Sequence, residues 1–313
     1  MTELVNIPVD SWMLHGIVHC PGLSSGKRVG VVVYHENYNT KFGTHRLFRV
    51  LSDRLASAGF YVLRYDDRGM CDSPGIHDLT IADRLADARA AAKFFREVYK
   101  LDVVIGWGLC LGATLALHTS ASPDPHEQLD ALVLCSILAD PGIVSLPQFG
   151  YERVEVSKLA HEFFLRGNLL RKLLNAPRSF KFWIQKLEVI ARRHLQGTPK
   201  ELGRMKATIG RVGGLLAAYD GPCLMIFGEK DSYLTDFTER VNPGDRLKLK
   251  EKPNPPEWVL IEDGDHTFSS REKTEQLFQA TLNWLERLPS REQSAVANIA
   301  SNFQAEQPSA AAD

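Results

Sequence analysis

Apolar and polar positions along this chain follow two patterns, short continuous apolar runs and longer segments with apolar residues at helical spacing. The short runs are typical of strands buried on both faces of a parallel sheet, and the longer segments are typical of the helices that cover such a sheet. The predicted strands are Leu4 to Pro8, Met13 to His19, Arg28 to His35, Phe60 to Tyr65, Val103 to Trp107, Ala131 to Cys135, Cys223 to Phe227 and Trp258 to Ile261. This order predicts an α/β fold in which an initial hairpin precedes a mostly parallel sheet with helices on both faces.

Three helices are well marked in the pattern. Thr44 is a predicted N-cap for a helix that ends at Gly59, and a second helix carries its apolar positions from Ile81 to Phe95. The last predicted helix runs from Arg271 to Leu288.

The spacing of the strands also predicts the domain organisation. Roughly 85 residues separate the strand at Ala131 from the strand at Cys223, far more than a connection in an α/β fold requires. We therefore expect a core in two parts, 1–139 and 216–288, with a helical lid inserted at 140–215. The tail, 289–313, has few large apolar residues and is predicted to be disordered.

Composition and charge narrow the class of protein. The chain has 313 residues, 44% apolar and 24% charged, and its 37 Lys and Arg against 38 Asp and Glu give a net charge of −1. This balance excludes a disordered chain and a protein that binds nucleic acid by its overall positive charge. The segment 151–215 nevertheless holds 14 of the cations and only 5 of the anions, which suggests an anionic substrate or carrier, the alternative being an ordinary solvated helix face.

The N-terminal residues and the cysteines bear on location. The first residues do not have the order of a secretory signal, and no apolar run approaches the length of a membrane helix, so we expect a cytoplasmic protein without a membrane span. The five cysteines are scattered and include no Cys-x-x-Cys pair, which predicts neither a disulfide framework nor a zinc site.

The most informative motif is Gly108-Leu109-Cys110-Leu111-Gly112, between a buried strand and a helical run. This is the pattern of a nucleophile elbow, a sharp strand-to-helix turn that exposes the nucleophile above the sheet. The N-terminus of the helix behind such a turn stabilises a thiolate, which is the reactive form of cysteine. Cys110 is therefore the predicted nucleophile.

Two further residues follow later strands in the order expected of a catalytic triad. Asp231 comes after the strand at Cys223, and His266 comes after the strand at Trp258. We assign Asp231 as the orienting acid and His266 as the base, with Glu229 and Asp236 as the rival carboxylates.

An oxyanion hole requires two backbone N–H donors. The first is expected from Leu111, directly after the nucleophile, and the second from the loop after the strand that ends at His35. Asn37 is the preferred residue for the second donor, and Glu36 is the alternative.

Together these segments resemble the α/β-hydrolase superfamily over residues 1–288. The resemblance rests on the strand ending at His35, Asp66-Asp67-Arg68-Gly69, the Cys110 turn, Gly228-x-x-Asp231 and Gly264-Asp265-His266. The cysteine is similar to that of dienelactone-hydrolase-like members, and Gly43-Thr44-His45-Arg46, the segment 64–70 and the segment 180–187 resemble the exosortase A system-associated hydrolases. This implies an α/β-hydrolase fold and hydrolysis of an ester or thioester by an activated cysteine, with no metal and no organic cofactor.

Two other functions remain open on the sequence. The Cys110 turn also resembles that of polyhydroxyalkanoate synthases, so an acyltransferase that passes an acyl group from a thioester to an alcohol or amine is the second hypothesis. A non-catalytic binding module on the same fold is the third. The expected partner in the first two cases is a small or carrier-bound acyl substrate, and the sequence leaves the oligomeric state open.

Overall fold

The computed structural model describes residues 1–22, 26–36, 39–75, 79–140 and 199–288. Most of the predicted lid and the whole predicted tail lie outside these residues. The chain falls into two compact units, one made of Met1–Ala139 and Val212–Asp313 and the other of Asp140–Arg211. In the second unit the description covers Asp140 and 199–211, which contain one helix, Pro199–Gly210.

The first unit is built on a sheet of eight strands. They are β1 Thr2–Val9, β2 Trp12–His19, β3 Val29–Tyr34, β4 Tyr61–Tyr65, β5 Val103–Leu109, β6 Ala131–Cys135, β7 Cys223–Gly228 and β8 Glu257–Ile261. Their order across the sheet is β1-β2-β4-β3-β5-β6-β7-β8. β1 and β2 form an antiparallel hairpin, β2 pairs antiparallel with β4, and all later pairings are parallel. The predicted α/β class and the initial hairpin are confirmed.

The described residues form seven α-helices, of which Pro199–Gly210 lies in the second unit. In chain order they are α1 Leu47–Ser57, α2 Ile81–Val98, α3 Leu111–Ser120, α4 Pro199–Gly210, α5 Val212–Ala218, α6 Ser232–Asp236 and α7 Arg271–Arg287. α2 begins with a capping box, in which Thr80 and Asp83 each accept a hydrogen bond from the other's backbone N–H. α7 begins at Ser270, whose hydroxyl accepts from the Lys273 N–H at 3.2 Å.

The central strands are buried on both faces, which explains their continuous apolar runs. Every residue of β6 and β7 is buried, and so are all but the first residue of β3 and of β5. The hairpin strand β1 instead alternates, with Ile7 and Val9 buried and Leu4 exposed. Because the parallel strands all point the same way, the loops after β3, β5, β7 and β8 meet at one edge of the sheet.

The predicted N-cap of the first helix is wrong. Thr44 does not cap α1, because that helix begins at Leu47 after a single turn of 3₁₀ helix, Thr44–Arg46. The Thr44 hydroxyl is used elsewhere, since it donates to Glu36 Oε1 at 2.7 Å and accepts from Asn39 Nδ2 at 2.8 Å. It therefore ties the segment before α1 to the loop after β3.

Candidate active site

Cys110 occupies a sharp turn between β5 and α3. Its backbone has φ 57° and ψ −119°, a conformation that side-chain-bearing residues rarely adopt. The turn is held by its own main chain, because the Cys110 N–H donates to the Cys135 carbonyl at 3.0 Å and the Cys110 carbonyl accepts from the Ala113 N–H at 3.1 Å and the Leu138 N–H at 3.3 Å. The strain is thus fixed by the surrounding backbone, as a nucleophile elbow requires.

The two glycines of the motif are required by close backbone contacts. A Cβ at Gly108 would lie 2.4 Å from the Ala113 nitrogen, inside the first turn of α3. A Cβ at Gly112 would lie 2.1 Å from the Tyr34 carbonyl oxygen. The first turn of α3 therefore packs directly against the end of β3, which brings the β3 loop beside Cys110.

Asp231 and His266 are joined across the ends of β7 and β8. His266 Nδ1 lies 3.0 Å from Asp231 Oδ2, and the Tyr233 N–H donates to Asp231 Oδ1 at 3.0 Å. The Asp231 side chain is 1% exposed and the His266 side chain 33%, so the carboxylate is shielded while the imidazole remains accessible. Both rival carboxylates have other partners, since Glu229 accepts from the Asp263 N–H and Asp236 pairs with Arg240.

The loops that carry Asp231 and His266 are hydrogen-bonded to one another. The Lys230 N–H donates to the Gly264 carbonyl at 2.8 Å, and the Glu229 N–H donates to the Ile261 carbonyl at 3.0 Å. A Cβ at Gly228 would lie 2.4 Å from the Gly264 oxygen, so the two backbones touch. This close contact holds the loop of Asp231 beside the loop of His266.

The electrostatics of the group favour a charged imidazole. Burial lowers the pKa of His266, but hydrogen bonds with Asp231 and with Cys110 outweigh it and raise that pKa to about 10. Burial likewise raises the pKa of Asp231, and the hydrogen bond and charge of His266 more than reverse this and hold it below its usual value. The structure thus brings together Cys110, His266 and Asp231 in the order predicted.

A residue that the sequence analysis did not identify, Tyr233, also reaches this group. Its hydroxyl lies 3.9 Å from Cys110 Sγ, and its ring centroid lies 4.3 Å from that of His266. The position just after the predicted acid was the only available signal, and nothing in the apolar pattern indicates that this ring turns back toward the elbow.

The structure describes part of the predicted oxyanion hole. Leu111 is the first residue of α3, where backbone N–H groups have no partner within the helix. In the β3 loop, Arg84 pairs with Asp67 at 2.8 Å, and its Nη2 lies 3.5 Å from the carbonyl oxygens of His35 and Glu36. The Glu36 N–H, antiparallel to the His35 carbonyl, is therefore turned away from Arg84. Asn37, the preferred second donor, lies outside the described residues and stays a prediction.

One group of possible metal ligands occurs elsewhere among the described residues. Donor atoms of Asp66, Cys71 and Asp72 all lie within 4.8 Å of one another. Lys41, however, forms ion pairs with both carboxylates, and its Nζ lies 2.5 Å from Asp72 Oδ2. The lysine thus already supplies the positive charge at this place.

Comparison with sequences of known proteins gives no match. No family model matches the chain, and no curated protein matches it.

Comparison with solved structures gives many matches. An esterase of Pyrococcus furiosus has a TM-score of 0.60 at 15% identity, over 92% of this chain and 91% of that one. Est1E of Butyrivibrio proteoclasticus, solved with ferulic acid, has a TM-score of 0.58 at 16% identity, over 93% and 99%. A dienelactone hydrolase from Anabaena variabilis has a TM-score of 0.57 at 13% identity, also over 93% and 99%.

These similarities, together with the strand order, show that the chain has the α/β-hydrolase fold. Within the described part of the chain, no helix combines the length and the apolar character needed to cross a membrane.

Proposed function

We propose that this protein is a cysteine hydrolase that cleaves an ester or thioester through an acyl-enzyme on Cys110. The observation that carries the proposal is the line of contacts from Cys110 to His266 and from His266 to Asp231 at a strained strand-to-helix turn. That the structural neighbours include esterases and a dienelactone hydrolase supports an ester-type substrate. The cysteine in place of serine resembles the dienelactone-hydrolase type and, more narrowly, the exosortase A system-associated hydrolases.

Each residue has a definite part in this reaction. The Cys110 thiol gives its proton to His266, and the thiolate attacks the carbonyl carbon to form a tetrahedral intermediate. The Leu111 N–H, with a second donor from the β3 loop for which Asn37 is our choice, stabilises the oxyanion. His266 protonates the leaving group, and an acyl-enzyme remains. Water, deprotonated by His266, then releases the acid and restores the thiol, while Asp231 keeps the imidazole in one tautomer.

The distribution of charge along the sequence supports an anionic substrate. The excess of cations in 151–215 suits an acyl group carried on a phosphate-bearing thiol such as coenzyme A, or on an acidic carrier protein. All five cysteines are free, which suits a reducing compartment such as the cytoplasm.

The first test is the substitution Cys110→Ala. We expect hydrolysis of p-nitrophenyl esters and acyl thioesters to fall by at least about a thousand-fold, because the variant has no nucleophile. An acylating active-site probe should label the native protein and not the variant in intact-mass spectra. Cys71→Ala, which removes an exposed cysteine outside the site, should leave both measurements unchanged. Undiminished hydrolysis or labelling in the Cys110→Ala protein would rule out the proposed nucleophile.

The same thiol chemistry serves an acyltransferase, and the products separate the two functions. A hydrolase releases free acid from an acyl thioester whether or not an alcohol or amine is present. If the acid never forms and the acyl group is recovered only on the acceptor, the protein is a transferase.

A further inference from the structure

Tyr233 contacts each of the three residues proposed for catalysis. Its backbone N–H donates to Asp231, its ring packs on His266, and its hydroxyl is 3.9 Å from Cys110 Sγ. The side chain is almost completely buried, at 6% exposure. Asp231 can orient His266 without an aromatic side chain nearby. The position of the Tyr233 ring therefore needs a separate explanation.

On the side of the sulfur, the Cys110 thiol donates to the Tyr233 hydroxyl oxygen across 3.9 Å, and the same hydroxyl can become the donor once the thiol has lost its proton. Burial is the main cause that raises the pKa of the Tyr233 phenol, and the negative charge at Cys110 is the second. The phenol therefore keeps its proton at any pH at which the enzyme works. A protonated phenol can donate to a thiolate, and hydrogen bonds to a charged acceptor are stronger than those to a neutral one. The contact is therefore worth more when Cys110 is ionised than when it is a thiol.

On the side of the imidazole, Tyr233 supplies an aromatic ring. The ring centroids of Tyr233 and His266 are 4.3 Å apart with their planes at 56°. A cation within about 6 Å of a tyrosine ring is attracted by the ring's electron density, an effect that a neutral imidazole does not share to the same degree. This contact is also stronger in the charged state of its partner.

We propose that Tyr233 is a fourth member of the catalytic group, which stabilises the Cys110 thiolate and the His266 imidazolium together and so keeps the nucleophile ionised before substrate arrives. The proposal rests on the proposed function, because it assumes that Cys110 is the nucleophile. It extends that function because Tyr233 would shift the equilibrium between Cys110 and His266 from the neutral pair toward the ion pair.

The charged groups around the pair are consistent with this assignment. Cys110 faces His266 and Tyr233, and Asp231 lies behind His266. Asp236, at the end of the short helix α6, also acts on Tyr233, but its carboxylate forms an ion pair with Arg240 at 3.3 Å. The Tyr233 hydroxyl is thus a possible hydrogen-bond donor close to Cys110 Sγ. Tyr233 lies in α6, whereas His266 lies in the loop after β8.

The test is the pH dependence of alkylation of Cys110 by iodoacetamide, which reports the thiolate without requiring turnover. It uses the full chain with Cys71→Ala, so that the exposed cysteine does not react, and peptide masses locate the label. Tyr233→Phe keeps the ring and removes only the hydroxyl. We expect the midpoint of its alkylation curve to rise by about one pH unit, which is about ten-fold less thiolate at a given pH below the midpoint.

Tyr219→Phe is the matched control. Tyr219 is a second tyrosine near the end of α5, and its buried hydroxyl has no hydrogen-bond partner among the described residues. Removal of this hydroxyl should leave the alkylation curve where it is. Tyr233→Leu, which removes the ring as well, should move the midpoint further and lower the pH at which the His266 imidazole titrates by NMR.

The outcomes separate this proposal from the proposed function. If Tyr233→Phe and Tyr219→Phe give the same alkylation midpoint, Tyr233 does not stabilise the thiolate, even where Cys110→Ala has abolished hydrolysis. A lower kcat/KM in Tyr233→Phe with an unmoved midpoint also overturns the proposal, because the hydroxyl would then act on the substrate. If Cys110→Ala retains hydrolysis, the proposed function fails whatever the alkylation curves show.

Discussion

The Asp231 carboxylate makes two different hydrogen bonds with its two oxygens. One accepts from the Tyr233 N–H at the start of α6, and the other bonds His266 Nδ1. The first bond fixes the carboxylate in the manner of a helix cap, and the second uses the fixed carboxylate to fix the imidazole. The short helix α6 after β7 therefore orients His266 through the Asp231 carboxylate.

The pH dependence of hydrolysis tests this arrangement. In the proposed mechanism the active form holds one proton shared between Cys110 and His266, and activity should be lost on the alkaline side when His266, whose pKa is raised to about 10, gives up that proton. Since the Asp231 carboxylate is the chief group that raises this pKa, Asp231→Asn should move the alkaline limb of kcat/KM downward by more than about one pH unit. The profile of kcat/KM between about pH 5 and 11 measures it.

Glu229→Gln is the control for this prediction. Glu229 is an exposed carboxylate two residues before Asp231, and its glutamine retains an oxygen to accept from the Asp263 N–H. Its alkaline limb should coincide with that of the unsubstituted protein. A limb that moves in Glu229→Gln and not in Asp231→Asn would show that the acid has been assigned to the wrong residue.

The sequence motifs predicted Cys110, Asp231 and His266 as site residues, and the structure places these three residues beside one another. Cys110 is marked by its glycines and by the strand before it, and Asp231 and His266 are each marked by a preceding strand. Tyr233 was not predicted, because its position beside Cys110 and His266 depends on a side-chain direction that the sequence does not reveal. Asn37 lies outside the described residues and stays a prediction, and a backbone donor leaves no mark on the choice of side chain.

In the turn between β5 and α3, close backbone contacts determine which residue types the chain can have. The Gly112 Cα faces the Tyr34 carbonyl so closely that a Cβ would lie 2.1 Å from the oxygen and 2.6 Å from the carbon. Both atoms belong to the main chain of a buried central strand, so no side chain can turn aside to make room. Gly112 therefore allows α3 to pack closely against β3. This packing places Cys110 beside the β3 loop.

Gly112→Ala should accordingly destabilise the fold. We expect the free energy of unfolding to fall by about 1 to 3 kcal/mol or more, the usual cost of overpacking a buried site. Gly214→Ala is the matched control, because Gly214 lies in helix α5 with nothing within 4 Å of its added Cβ, and alanine there should raise the free energy by up to about 1 kcal/mol. Urea denaturation followed by circular dichroism measures both. Equal stability of Gly112→Ala and the unsubstituted protein would contradict the contact.

The elements show why patterns predict some boundaries and not others. β6 was predicted with the bounds that the structure gives, because its run of five apolar residues lies between two polar residues, Asp130 and Ser136. α1 begins three residues after its predicted cap, since the Thr44 hydroxyl bonds Glu36 and Asn39, and a local rule of capping does not register such a contact outside the helix.

The net charge of the whole chain is close to zero, but the charges are distributed unevenly along the sequence. The segment 151–215 carries +9 and the remaining residues −10, although the chain as a whole carries −1. Charge of one sign gathered in one segment attracts an oppositely charged substrate from a distance, and salt screens this attraction. Oppositely charged groups that are paired in the core, such as Arg84 with Asp67, take no part in this attraction.

Salt therefore distinguishes an anionic substrate from a neutral one. Between about 20 and 500 mM NaCl the screening length shortens from about 20 Å to about 4 Å. We expect kcat/KM for a short-chain acyl-coenzyme A to fall by about ten-fold across this range, because the phosphates lose their attraction to the cations of 151–215. An uncharged p-nitrophenyl ester of the same acyl group undergoes the same attack by Cys110, so its kcat/KM should change by less than about two-fold and serves as the control. Equal slopes for the two substrates would show that the cations act on neither, and the substrate of this site would then have to be sought among uncharged esters.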